Sequence, residues 1–148
     1  MARYCAYRDR STFEVENKLK EYRLIPQVHD EILAFLMEEN FLDDERFARS
    51  LARGKFRMKG WGRRKIMEAL RNHRLSEYYI RKGLEELDDE EYQEMITRLI
   101  KKKLINIQKN RHPYHIKQKI YRYLLQKGYF PEEFRDILDE EIKRHFGS

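Results

Sequence analysis

The chain has 148 residues, with 32 Lys and Arg against 26 Asp and Glu, a net charge of +6, and 41% hydrophobic and 13% aromatic residues. That length makes one domain or a few small modules, and the apolar and aromatic content excludes a disordered chain. No apolar run approaches the ~18 residues of a membrane span, no signal-peptide core follows Met1, and the only cysteine, Cys5, rules out an internal disulfide and a Cys-based zinc site.

Scarce Gly and Pro, with apolar residues at helical spacing throughout, predict a nearly all-α chain. Phe13, Leu19 and Tyr22 mark a first helix, Val28, Ile32, Phe35 and Leu36 a second, and Phe47, Leu51 and Ala52 a third. The pattern then restarts at Ile66 and Leu70, continues through Ile80 and Leu84, and reaches Tyr92, Ile96 and Ile100. A third start runs through Ile116, Ile120 and Leu124 and on to Phe134, Ile137 and Leu138. Leu19, Leu70 and Leu124 align as one position, 51 and 54 residues apart. These are tandem three-helix repeats, placed at residues 1–56, 57–108 and 109–148 with the last incomplete. A unit this small has a marginal core of its own, so neighbours must pack, and an elongated curved array is expected.

Local signals set the helix ends. Leu42-Asp43-Asp44-Glu45-Arg46-Phe47 matches Leu87-Asp88-Asp89-Glu90-Glu91-Tyr92, 45 residues on. Asp43 and Asp88 are structural N-caps, each flanked by a hydrophobic staple, and Glu91 completes a capping box with Asp88. That reading explains the paired carboxylates without acid/base or metal chemistry. Gly128 is expected in the left-handed position that ends a helix, with Pro131 opening the next.

Charge is segregated. Arg53 to Arg74 holds nine Lys/Arg and one acid, and Arg98 to Lys127 holds ten and none. Leu24 to Glu45 and Leu84 to Ile96 each hold seven acids and no Lys/Arg. A basic edge could neutralise phosphates or meet an acidic protein surface. Its candidate binding residues are Arg57, Lys59, Trp61, Arg63, Arg64, Lys65, Lys101, Lys102, Lys103, Lys109, Arg111, Lys117 and Lys119. Gly60-Trp61-Gly62 would let the backbone approach a phosphate, or serve as a connector, and Trp61 could stack on a base or pack internally. The segment matches neither the P-loop nor the dinucleotide fingerprint, so nucleotide hydrolysis is not implied. The five histidines are dispersed, and Ser11 and Ser50 have no His partner close in sequence. No metal, cofactor or catalytic group is expected.

Cys5-Ala6-Tyr7-Arg8-Asp9-Arg10-Ser11, with Glu14-Val15 and Lys18-Leu19, resembles the opening of the RecX regulatory proteins. Asn40 to Ala48 is similar to that family's most recognisable stretch, Lys59-Gly60, Ile66 and Leu70 to its second-repeat opening, and Leu125 to Tyr129 to its third. Where the family usually has Lys-Gly-Ile, this chain has Asn72-His73-Arg74-Leu75, and Trp61 stands where a smaller residue is usual. The resemblance implies a non-enzymatic, cytoplasmic protein that lodges on the RecA recombinase filament on DNA. There it would inhibit filament extension, strand exchange, ATP hydrolysis and co-protease activity. A monomer touching DNA through the filament is expected; a helical module binding DNA or RNA directly is the other reading.

Overall fold

The computed structural model describes residues 1–107 and 112–147, and their regular elements are all helices. In chain order these are α1 (Ala2–Tyr7), α2 (Thr12–Lys20), α3 (Pro26–Glu38), α4 (Asp44–Lys59), α5 (Arg63–Asn72), α6 (Glu77–Leu84), α7 (Asp89–Ile105), α8 (Pro113–Lys127) and α9 (Pro131–Phe146). The helices read from periodicity are all present. α1 was not expected: it is 6 residues long and has no side-chain cap, so it carries no local signal.

The chain forms two compact units. One comprises residues 1–54 and 67–86, the other residues 55–66 and 87–148, so α4 and α5 each contribute to both.

In the first unit, Cys5, Val15, Leu19, Leu36 and Leu42 form a buried cluster with Met1, Tyr4, Ile32 and Leu33 against it. α2 starts on a complete capping box: Ser11 Oγ accepts from Glu14 N–H, and the Glu14 carboxylate accepts from Ser11 N–H, each at 3.1 Å. Asp43 accepts from the Arg46 N–H at 3.1 Å, as a cap should. Asp44 does something the sequence did not show: it accepts from the N–H and hydroxyl of Thr12 at 2.8 and 2.9 Å, tying α4 to the start of α2. Arg74, just beyond the end of α5, takes φ 56, the left-handed conformation that favours glycine.

Ser11 does have a histidine partner. Its buried hydroxyl lies 2.8 Å from His73 Nδ1, 62 residues away in sequence, with the Phe47 ring 4.6 Å from the imidazole. Because Ser11 Oγ already accepts from Glu14, its proton is free for Nδ1, an arrangement that suits neutral histidine. Burial holds the imidazole below its ordinary value, against the smaller opposing pulls of Glu14 and Asp44. The unfolded chain then binds the proton more readily, so acidification through the ordinary histidine range costs stability. His73→Gln, which stays neutral, will show a smaller drop in melting temperature between neutral and mildly acidic buffer; an undiminished drop would place the sensitivity elsewhere.

The second unit has the larger described core: Phe56, Ile66, Tyr92, Ile96, Ile100, Ile116, Ile120, Leu124, Tyr129, Phe134 and Leu138 are all buried. α9 packs on α7 and α8. Asp88 caps α7, accepting from Glu91 N–H at 3.1 Å. The Glu91 side chain, expected to reach back to Asp88, lies instead 3.7 Å from Arg57. Gly128 ends α8 at φ 100, and Pro131 opens α9.

Candidate anion-binding site

The described candidate binding residues of the basic edge all fall in the second unit, and its packing sorts them. The strand of chain between α4 and α5 is not a loose connector. Gly62 N–H donates to Lys127 O at 2.8 Å, Arg64 N–H donates to Gly128 O at 2.9 Å, and the buried Tyr129 hydroxyl donates to Gly60 O at 2.9 Å. The first N–H of α5, on Arg63, is taken by Tyr92 Oη at 2.9 Å. Three amides that the sequence left available to a phosphate, those of Gly62, Arg63 and Arg64, are therefore occupied within the unit.

Some candidate cations are likewise engaged inside the fold. The Arg63 guanidinium lies 2.6 Å from Glu133 and 3.0 Å from Asp89, and 3.9 Å from the centroid of the Tyr92 ring. Tyr92 in turn donates to Glu133 at 3.0 Å, and burial pushes its phenol far above the ordinary value. Arg63 thus joins the starts of α5, α7 and α9, and Arg63→Gln will cost about 2 kcal/mol of unfolding free energy in urea titration. Arg64 donates to Leu125 O, Arg57 faces Glu91, and Lys117 pairs with Asp139. Lys101 lines two other hollows, one with Glu90 and Glu94 and one with Glu141 and Arg144. Lys109 and Arg111 lie outside the described residues.

The remaining lysines converge. Lys127 donates from Nζ to Lys59 O at 2.8 Å. Burial, and then the charges of Lys65, Lys102, Lys103 and Lys59, pull its amine below the ordinary lysine value. Lys103 and Lys127 lie 4.3 and 5.8 Å from the centroid of the Tyr123 ring, and Lys55 and Lys65 lie 4.9 and 4.6 Å from that of Trp61. Next to them, a hollow of about 270 Å³ is lined by Lys103, Lys119, Arg122 and Tyr123 among others. Four predicted cations, Lys59, Lys65, Lys102 and Lys103, so act on the charge of one that was not singled out, Lys127, with Lys119 at the neighbouring hollow. Its membership of the basic stretch was visible; its central place depends on how α8 docks beside α4, α5 and α7.

Gathering like charges is unfavourable unless a counter-charge is bound, and two aromatic rings among the lysines add faces that could stack. Among the described residues, no group of three His, Cys, Asp or Glu side chains could hold a metal, and no helix is long and apolar enough to cross a membrane.

The described residues form an all-helical protein of tandem three-helix units, with a cationic cluster beside two aromatic rings. The chain belongs to the RecX family: its residues 43–84 match "RecX, second three-helix domain" and residues 89–138 match "RecX, third three-helix domain". The repeated Leu-Asp-Asp-Glu motif straddles the start of both matches, which hold α4 to α6 and α7 to the first half of α9. The Regulatory protein RecX of Haemophilus influenzae (strain PittGG) is 31% identical over 136 residues, 91% of this chain and 88% of the relative. That of Clostridium botulinum (strain Eklund 17B / Type B) is 36% identical over 109 residues, 73% of this chain and only 50% of the relative. The crystal structure of RecX from Lactobacillus salivarius superposes with a TM-score of 0.85 at 23% identity, over 95% of this chain and 90% of that one, a likeness of fold.

Proposed function

We propose that the chain is a non-enzymatic regulator that binds the RecA recombinase filament on DNA and inhibits its extension, strand exchange, ATP hydrolysis and co-protease activity. Family membership supports the regulatory reading. The observation that carries the site is the gathering of lysines near Lys127, whose Nζ donates to the Lys59 carbonyl and which shares the Tyr123 ring with Lys103, a surface suited to phosphates or to recombinase carboxylates. The protein acts in the cytoplasm as a monomer, its contacts along the filament adding through effective concentration rather than through one tight pocket.

The decisive experiment titrates the protein, below stoichiometric ratios, into recombinase ATPase on single-stranded DNA, beside a binding assay on DNA alone. Inhibition at low ratios with weak binding to free DNA is the expected result. Full ATPase activity with tight, salt-sensitive DNA binding would overturn it in favour of a module acting directly on nucleic acid. Trp61 and Tyr123, lying among the lysines as stacking surfaces, are what favour that second reading.

A further inference from the structure

Of the 13 residues of α3 only Leu36 is buried, whereas α9 buries Phe134, Leu138 and Glu141 although its sequence is the less apolar. At about 100° per residue, Ile25, Val28, Ile32 and Phe35 share one face of α3. Ile25 is 62% and Phe35 51% exposed, and Leu24 is exposed beside them. A contiguous apolar stripe left open on a charged surface marks a contact. Its rim is acidic. Glu31 and Glu38, two turns apart, border the stripe on the Phe35 side, and Glu39 ends the helix in line with it. No Lys or Arg stands between Leu24 and Glu45, and among the described residues none of these three acids pairs with a base. α3 also lacks an acid in its first turn and a base in its last, so Glu38 and Glu39 stand at the negative end of the helix dipole. That placement is unfavourable for the helix alone and is relieved by a cation laid against it.

We propose that the open face of α3 is a docking surface for a basic amphipathic helix of a protein partner. The partner lays its apolar side chains on the stripe from Ile25 to Phe35 and its Lys or Arg side chains against Glu31, Glu38 and Glu39. Charge selects this occupant. Carboxylates along the rim repel nucleic acid and anionic membranes, and they attract a helix whose cations flank an apolar face. Phe35 is the anchor, a large aromatic side chain half open to solvent that a partner can bury completely. The acids fix direction, because two of the three sit at the C-terminal end of α3 and draw the partner's densest positive charge there. The protein so carries two faces of opposite preference, the lysine cluster for anions and α3 for a cationic protein segment. This second face does not depend on the filament reading above.

The test measures, by fluorescence anisotropy, binding of the full chain to a labelled Leu/Lys peptide whose leucines form one helical face. A peptide of the same composition with its leucines scattered, and a Leu/Glu peptide of the same pattern, serve as comparisons. The patterned Leu/Lys peptide is expected to bind at least about tenfold more tightly than either. Phe35→Ser, and separately Glu31→Lys with Glu38→Lys, should each remove that preference. Glu132→Lys with Asp136→Lys, which makes the same charge change at exposed positions of α9, should keep it. Circular dichroism checks that each variant is helical. Equal binding of the scattered peptide, or unchanged binding by both α3 variants, would overturn the proposal. Sedimentation of the chain alone supplies a further check: self-association that the Glu31→Lys/Glu38→Lys variant dissolves would give the face to a second copy instead. The readout needs neither DNA nor recombinase, so it stands or fails apart from the filament assay.

Discussion

Replacing Lys65, Lys102 and Lys103 together by Glu will abolish most of the inhibition of the recombinase filament, weakening binding about 100-fold or more at low salt. Each lysine that neutralises a phosphate releases a counter-ion, so losing three contacts also flattens the salt dependence, lowering the slope of log affinity against log salt by about 2–3. The variant should fold. The three charges repel Lys127 and one another, and no acid is among the groups that shift the Lys127 amine. A charge-matched control, Arg3→Glu with Lys20→Glu and Lys143→Glu, changes exposed residues outside the cluster and carries the same net charge. The control is expected to retain inhibition. If both triples lose it equally, total charge rather than this cluster governs the interaction. If neither loses it, the cluster is not the contact. Inhibition and binding are measured in the ATPase assay, with circular dichroism to confirm that both variants are helical.

The choice of those three residues shows what the sequence could and could not tell. Helix ends were legible because they are local: Asp43 and Asp88 cap within three residues, and Gly128 and Pro131 occupy the positions their backbones prefer. The repeat was legible because Leu42 and Phe47, like Leu87 and Tyr92, must be buried on entering a helix, and all four are. Charge segregation marked a basic region but not which of its cations pair within the fold. Arg63 meets Glu133 from 70 residues away, and Lys117 meets Asp139 on the next helix; neither acid lies in the basic runs. A run of like charge identifies a face only after such distant partners are subtracted. The Ser11–His73 pair, 62 residues apart, was hidden for the same reason. Gly60-Trp61-Gly62 misled differently. Its glycines suggested an open backbone, whereas they permit a backbone-to-backbone contact that closes it.

That contact gives the largest expected effect on stability. Gly62→Ala would place a Cβ 2.5 Å from Gly128 O, 2.6 Å from Gly128 C and 2.7 Å from Tyr129 N. All three are backbone atoms, fixed by the left-handed turn at Gly128 and by the burial of Tyr129, so none can rotate aside as a side chain would. Relief requires α5 and the end of α8 to separate, which breaks the Gly62-to-Lys127 and Arg64-to-Gly128 hydrogen bonds. Overpacking and two lost backbone bonds together cost about 3–5 kcal/mol, read as a lower urea midpoint at unchanged slope. Gly54→Ala is the contrasting change: nothing lies within 4 Å of its Cβ, it sits inside α4, and it should be neutral or stabilise by up to about 1 kcal/mol. The pair also tests the site without altering a charge. Lys127 is held near Lys59 and Lys65 by this junction, so Gly62→Ala, under conditions where it remains folded, should weaken filament inhibition while Gly54→Ala leaves it intact. A Gly62→Ala protein as stable as the parent would mean that the junction yields easily, and that the lysine cluster is not held together by it.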